Sequence, residues 1–217
     1  MKKSCALWDL DGTLLDSKQG ITYSIVQVLK AYGYPMPSED RLERAVGPTL
    51  RHTFAEIFGF DGFHSGIEDS MDRIYAQEGM SFDRLFPGAA GCLLAIQKAG
   101  GINCVATMKP HRLKDATLRC HPELCSLIDE WLGWDLSPGE QKKSGLFRAL
   151  LQKTGAVPEQ CVAIGDRASD ILSAKKLGIL SIAVRYGFAY GNELEEARPD
   201  YFVASPWELK ELLQTLF

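Results

Sequence analysis

Two aspartates two positions apart, Asp9 and Asp11, directly follow a short apolar run from Cys5 to Trp8. A buried strand has no place for carboxylates in its interior, so we expect both side chains to project from the carboxyl end of this strand. Ligands bind at that edge in open α/β sheets. Gly12 supplies the backbone freedom for a turn that brings both acids to one reacting atom. The alternative is an ordinary acidic exit from a strand into a loop.

A second pair of acids, Asp166 and Asp170, follows the apolar run from Cys161 to Ile164 and opens a predicted helix. The spacing places Asp170 about one helical turn beyond Asp166, where capping or support of a neighbouring ligand is the simpler role for either acid. Carboxylates that converge from two strand ends repel each other strongly without a cation. Their hard oxygen atoms suit a cation such as Mg²⁺.

Two further positions are candidates for contact with an anionic ligand. Thr107 ends the apolar run that starts at Ile102, and its hydroxyl could bind an anionic ligand, although threonine is common in strands for its shape alone. The pair Lys142-Lys143 opens another predicted helix. Lysine pairs are usually solvated, but carboxylates that meet an anionic ligand need positive charge. Two unit charges about 4 Å apart interact by about 4 kcal/mol at an effective dielectric constant of about 20.

These segments, in this order, resemble the signature motifs of the haloacid dehalogenase-like (HAD) phosphohydrolases. The corresponding segments are Asp9-Leu10-Asp11-Gly12-Thr13 for the DxDGT motif, Thr107 for the second motif, Lys143 for the third and Gly165-Asp166-Arg167-Ala168-Ser169-Asp170 for the GDxxxD motif. The resemblance covers almost the whole chain and is strongest to the phosphoglycolate phosphatase-like subgroup. In that subgroup Asn-Lys commonly follows the threonine, whereas this chain has Met108 before Lys109.

The resemblance implies Mg²⁺-dependent hydrolysis of a small phosphate monoester, with phosphoglycolate as the default substrate. It assigns Asp9 as the nucleophile that forms an aspartyl-phosphate, and Asp11 as the general acid and later the general base. Thr107 and Lys143 would hold the phosphate oxygens. The implied metal ligands are Asp9, the backbone carbonyl of Asp11, and Asp166, with Asp170 in a supporting position.

Other activities remain open. Haloacid dehalogenases as a family lack an acid two residues after the nucleophile, so Asp11 disfavours that reaction. A phosphomutase of the β-phosphoglucomutase type keeps both acids, although its relatives tend to carry another residue where Thr13 stands. Nucleotidase or pyrophosphatase activity fits the sequence as well as phosphoglycolate hydrolysis does. Met108 is the only feature that favours an interaction protein with the same fold and no catalytic activity.

The elements that must position these residues alternate between strand and helix over most of the chain. This alternation predicts an α/β fold, a HAD-like Rossmannoid core with a parallel sheet and helices on both of its faces. Between Ser17 and Phe86 apolar residues recur at helical spacing without a convincing strand. A connection of roughly 70 residues far exceeds the usual βα loop of about 2–6. We therefore predict an α-helical cap domain at 17–86, inserted into a catalytic core formed by 1–16 and 87–217.

The predicted cap holds the candidate substrate contacts. Gly47-Pro48-Thr49 resembles the family's cap loop that dips toward the core, and Arg51-His52 directly beside it could bind an anionic group. The simpler interpretation is that Thr49 caps the following helix and that Arg51 and His52 are solvated residues on an amphipathic surface.

Composition restricts the partners. The 217 residues are 46% hydrophobic and 24% charged with a formal net charge of -4, and no basic block exceeds Lys142-Lys143, which disfavours a nucleic-acid partner. The apolar stretch after Met1-Lys2-Lys3 is too short for a signal peptide, and no run approaches the ~18 apolar residues of a membrane span. We expect a cytoplasmic monomer or homodimer that acts on a small phosphorylated metabolite, without nucleic-acid or membrane partners.

Overall fold

The computed structural model describes residues 2–136 and 143–217. They form two compact units, the first made of Met1–Asp16 with Leu85–Phe217 and the second made of Ser17–Arg84. Among the described residues, no helix has the length and apolar character that crossing a membrane requires. The chain re-enters the first unit at Leu85, slightly before the predicted boundary at Pro87.

The strands and helices have the following bounds in chain order. The strands are β1 (Cys5–Trp8), β2 (Leu15–Asp16), β3 (Arg84–Leu85), β4 (Ile102–Thr107), β5 (Glu130–Gly133), β6 (Cys161–Gly165), β7 (Leu180–Val184) and β8 (Tyr201–Val203). The α-helices are α1 (Lys18–Tyr32), α2 (Glu39–Arg44), α3 (Leu50–His52), α4 (Ser65–Gln77), α5 (Ala89–Lys98), α6 (Lys114–Cys120), α7 (Lys143–Thr154), α8 (Ala168–Lys176), α9 (Glu193–Ala197) and α10 (Pro206–Leu216).

The first unit is built on a six-stranded sheet with the order β5-β4-β1-β6-β7-β8, in which every neighbouring pair is parallel. Side chains of β1 alternate between two apolar clusters. Ala6 and Trp8 belong to one cluster together with residues of α5 and α10, whereas Cys5 and Leu7 belong to the other together with residues of α7 and α8. Burial of both faces explains why the strands are continuous apolar runs.

The sheet order brings the predicted functional positions together. β1 lies between β4 and β6, and Trp8 is in register with Val105 on one side and with Ile164 on the other. Because the three strands are parallel, their carboxyl ends share one edge, so residues that follow each of them become neighbours. The α/β fold with a parallel sheet, predicted from the alternation of elements, is confirmed.

The second unit is helical around an apolar cluster that includes Ile25, Leu29 and Phe54. Helical spacing of apolar residues continues from Leu50 to Phe58, and in the structure this segment begins as α3 and continues as a π-helix over Thr53–Phe58. Apolar spacing over so few residues does not separate the two helix types. Thr49 caps α3 as expected, since its hydroxyl accepts the His52 N–H at 3.4 Å.

Several short elements of the described residues were not predicted, among them α2, β2 and β3. The helix α2 has the sequence Glu-Asp-Arg-Leu-Glu-Arg and no buried residue, so it leaves no apolar stripe. The strands β2 and β3 pair with each other and contain two residues each, which is too short for a recognisable alternation. The prediction that no strand lies between Ser17 and Phe86 was therefore wrong at β3.

Candidate active site

Asp9 lies directly after β1, where its backbone N–H donates to the Ile164 carbonyl at 2.8 Å. Its carboxylate accepts a hydrogen bond from the Lys143 ammonium group at the start of α7. The same ammonium group lies 2.8 Å from Oδ1 of Asp170. One buried cation therefore joins two of the acids that the sequence singled out. The other lysine of the pair, Lys142, lies outside the described residues.

Burial governs the electrostatics of this group. It raises the pKa of Asp9 to about 6, against the opposing effect of the Lys143 charge. Burial alone would lower the pKa of Lys143, but Asp170 and Asp9 raise it above its ordinary value, so the ammonium group stays protonated. Lys143 thus supplies a fixed positive charge beside the predicted nucleophile.

Asp166 follows β6 and is fully buried. Its Oδ1 accepts the Thr13 hydroxyl at 3.3 Å and its Oδ2 accepts the Phe188 N–H at 2.7 Å. Burial raises the pKa of Asp166 well above its ordinary value, and the neighbouring Asp9 acts in the same direction. The carboxylate is thus oriented by two separate segments, the loop after β1 and the loop after β7.

Asp9, Asp166 and Asp170 each offer a carboxylate oxygen within 4.8 Å of the others. Three buried carboxylates this close repel one another, and their hard oxygen atoms are the ligands that Mg²⁺ favours. The donor set therefore fits a magnesium ion. Asp170 is a member of this group and also accepts the Arg167 N–H at 3.1 Å through Oδ2. The contribution predicted for Asp11 was its backbone carbonyl, which stays a prediction.

Two glycines make close approach to Asp166 possible. Gly12 has φ +88°, and a Cβ at this position would lie 2.1 Å from Oδ2 of Asp166. A Cβ on Gly187 would lie 2.3 Å from the Asp166 Cβ and 2.4 Å from the Gly12 carbonyl oxygen. Gly12 was expected to allow the turn after Asp9, whereas no pattern in the sequence indicated that Gly187 packs here.

Asp11 directly precedes Gly12 in the turn that follows Asp9. Its Oδ1 is 2.8 Å from the Nζ atom of Lys109, whose side chain is only 5% exposed. Thr107 is buried at the end of β4, and its hydroxyl accepts the Lys109 N–H at 3.0 Å. Met108, between them, packs against the apolar cluster that contains Cys5 and Leu7. Sequence reasoning assigned no role to Lys109, although two signals were available: its place two residues after the end of β4, and the lysine of the Asn-Lys pair that commonly follows the threonine in the subgroup.

The candidate substrate residues lie in the second unit. Gly47 has φ +107° and precedes Pro48, and Thr49 caps α3. The Arg51 guanidinium lies over the Phe63 ring at 4.9 Å from its centroid. His52 is exposed on the surface of this unit. Thr49 and Arg51 therefore have local structural contacts, and the predicted contacts of all five residues with substrate stay a prediction.

Comparison with known proteins agrees with the geometry. The haloacid dehalogenase-like hydrolase family model matches residues 6–184. A 5'-nucleotidase of Pseudomonas aeruginosa is 33% identical over 211 residues, which cover 96% of this chain and 95% of the relative. A phosphoglycolate phosphatase of Vibrio cholerae is 29% identical over 203 residues, with 89% of each chain covered. The solved structure of a predicted phosphatase from Clostridium acetobutylicum is 29% identical, with a TM-score of 0.89 over 100% of both chains.

The chain therefore belongs to the haloacid dehalogenase-like hydrolases. Within this family it is similar to phosphatases, including both a 5'-nucleotidase and phosphoglycolate phosphatases. The predicted family and the predicted enzyme class are confirmed.

Proposed function

We propose that the chain hydrolyses small phosphate monoesters through an aspartyl-phosphate on Asp9. The observation that carries this proposal is the grouping of Asp9, Asp166 and Asp170 at the carboxyl edge of the sheet, where the Lys143 ammonium contacts Asp9 and Asp170. A buried carboxylate held beside a fixed cation can attack an anionic phosphorus centre, because the cation offsets the repulsion between nucleophile and substrate.

In the first half-reaction an Asp9 carboxylate oxygen bonds to phosphorus while the bond from phosphorus to the ester oxygen breaks. The proton of Asp11 passes to that oxygen, so an alcohol leaves. In the second half-reaction Asp11 takes a proton from water, and the resulting hydroxide bonds to phosphorus as the bond to Asp9 breaks. The sum is one ester and one water converted to alcohol and phosphate, with both aspartates returned to their initial states.

The remaining residues of the first unit orient the phosphoryl group. Lys143 and the Thr107 hydroxyl would hold its oxygen atoms as charge moves between them. A bound Mg²⁺, held by Asp9, the Asp11 carbonyl and Asp166 with support from Asp170, would neutralise charge on the phosphate and the carboxylates. Asp166 contributes by keeping its carboxylate fixed between the Thr13 hydroxyl and the Phe188 N–H.

Two substrate classes follow from the relatives. Phosphoglycolate is one, since several similar curated proteins bear that activity as their name. A nucleoside monophosphate is the other, favoured by the 33% identity to a 5'-nucleotidase. We propose that the second unit acts as the cap domain, and that Gly47-Pro48-Thr49 with Arg51 and His52 contributes the contacts that distinguish these substrates.

The proposal is tested by assaying phosphate release from p-nitrophenyl phosphate, phosphoglycolate, nucleoside monophosphates, sugar phosphates and pyrophosphate. We expect turnover with Mg²⁺, its loss in excess EDTA and its recovery when Mg²⁺ is restored, because the single Lys143 charge does not offset three buried carboxylates and a phosphate dianion. Undiminished turnover in EDTA would contradict the metal assignment. Absence of turnover with every substrate of the panel would favour a binding protein. Formation of an isomeric sugar phosphate without free phosphate would indicate a mutase.

Replacing Arg51 and His52 by Ala is expected to change the ranking of substrates and to leave turnover of p-nitrophenyl phosphate largely intact. The reason is that neither residue lies in the unit that holds the acids. The measurement is kcat/KM for each substrate of the panel.

Arg73→Ala, an exposed arginine on α4, is the matched control for loss of a surface charge in the same unit. Loss of the Arg51 contact with Phe63 is expected to cost only about 0.5–1 kcal/mol of unfolding free energy. A uniform fall for all substrates, or no change for any, would show that Arg51 and His52 do not determine specificity.

A further inference from the structure

Lys109 is a buried cation that has no role in the reaction steps proposed above. It lies two residues after the end of β4, and its Nζ atom lies 2.8 Å from Oδ1 of Asp11. The side chains are 5% and 14% exposed, so both ends of this ion pair are largely withdrawn from water. Holding a lysine in such a place costs solvation free energy, and a buried ion pair is weak evidence for a gain in stability.

The backbone of Lys109 is itself fixed. Its N–H donates to the Thr107 hydroxyl at 3.0 Å. On the opposite side, a Cβ on Gly133 would lie 2.6 Å from the Lys109 carbonyl oxygen and 2.3 Å from the His111 nitrogen, so β5 packs directly against this turn. The lysine therefore starts from an anchored position, and its side chain extends to Asp11 across the carboxyl edge of the sheet.

The two aspartates after β1 thus have separate cations. Lys143 contacts Asp9 and Asp170, whereas Lys109 contacts Asp11. The two acids also have different tasks in the proposed reaction, one as nucleophile and one as proton donor and acceptor. An acid that must meet first the leaving oxygen and then a water needs a defined orientation, because proton transfer requires approach to about 2.6–3.2 Å.

We propose that Lys109 is a positioning residue that holds the Asp11 carboxyl group in the orientation needed for proton transfer. This inference rests on the proposed function. In this inference Lys109 does not contact the phosphate, whereas Lys143 does. Without Lys109, Asp11 keeps its chemistry but samples orientations that do not reach the ester oxygen or the water.

The test begins with Lys109→Met, which retains an unbranched stem and removes the charge. We expect kcat/KM for alkyl phosphates to fall about 10–100-fold, since misplacement by about 1 Å can cost on the order of 10²-fold. For aryl phosphates, whose leaving group needs less protonation, kcat/KM is expected to fall much less. In rapid-quench experiments the phosphorylated enzyme should accumulate, because water activation by Asp11 is slowed as well.

A double-mutant cycle with Asp11→Asn decides between positioning and direct action. If Lys109 acts through Asp11, adding Lys109→Met to the Asp11→Asn protein should change kcat/KM by less than about twofold. If Lys109 instead stabilises the phosphate itself, the substitution will cost the same factor in both backgrounds and will affect alkyl and aryl phosphates equally. Either of those results would overturn the proposal.

Lys98→Met, at the exposed end of α5, is the matched control and should leave all rates unchanged. Thermal unfolding of each variant checks that the fold is retained. If Lys109→Met does not fold, Lys109→Gln carries the same cycle with a polar end in place of the charge. Failure of the proposed function would appear as absence of turnover in the wild-type chain, whereas failure of this inference would appear only in the pattern of the variants.

Discussion

Asp9→Asn is expected to abolish phosphoryl transfer, whereas Asp11→Asn is expected to halt the reaction with the phosphoryl group on the enzyme. Asn at position 9 removes the nucleophile, so no covalent intermediate forms and turnover should fall by at least about 10⁴-fold. Asn at position 11 leaves the nucleophile but removes the proton donor and the later base, each contributing about 10²–10⁴-fold. With an aryl phosphate, the missing base then slows hydrolysis of the intermediate more than the missing acid slows its formation.

Intact-protein mass spectrometry after acid quench measures the difference. The Asp11→Asn protein should gain ~80 Da, the mass of one phosphoryl group on a covalent nucleophile, and the Asp9→Asn protein should gain none. The two variants are matched, since each exchanges one carboxylate oxygen for an amide nitrogen of similar size. Circular dichroism and thermal unfolding verify that both remain folded. A phosphoryl group on the Asp9→Asn protein would show that another residue is the nucleophile.

Much of this site could be predicted because its acids directly follow strands. Asp9 and Asp166 come after uninterrupted apolar runs, and parallel strands present their carboxyl ends at one edge of a sheet. The need of converging carboxylates for a nearby cation indicated the pair Lys142-Lys143, and the resemblance to the family selected Lys143. For the two aspartates, the local sequence indicates both the strand and the edge of the sheet at which the side chain lies.

Lys109 and Gly187 were not identifiable in this way, because their contacts depend on tertiary structure. A lysine after a strand points either to solvent or into the crevice, and the tertiary structure places the Lys109 side chain against Asp11 while β5 packs against the Lys109 backbone. Gly187 matters because the loop after β7 returns to Asp166, a contact between residues that are distant in sequence. Within the second unit, the π-helix at Thr53–Phe58 was missed because apolar residues at 54, 57 and 58 fit more than one helical period.

Gly12→Ala is expected to lower activity by displacing the Asp166 carboxylate, while the chain still folds. The new Cβ would lie 2.1 Å from Oδ2 and 2.6 Å from Cγ of Asp166, so either the carboxylate or the turn after Asp9 must move. Asp166 is also enclosed by Gly187 on another side, which leaves little room for it to shift. We expect kcat/KM at saturating Mg²⁺ to fall by about 10²-fold or more, since small misplacement of catalytic groups has effects of that order.

Gly178→Ala is the control that distinguishes the effect of a steric clash with Asp166 from the effect of backbone strain. Gly178 has φ +71° and no heavy atom within 4 Å of an added Cβ, whereas Gly12 has φ +88° and collides with Asp166. Both substitutions place a side chain in the left-handed region, which costs about 1–2 kcal/mol, so both should lower unfolding stability. Only Gly12→Ala should lower turnover and weaken metal binding, measured by calorimetric titration of the substrate-free protein with Mg²⁺. Equal activity and equal metal affinity in the two variants would mean that the position of Asp166 does not control this site.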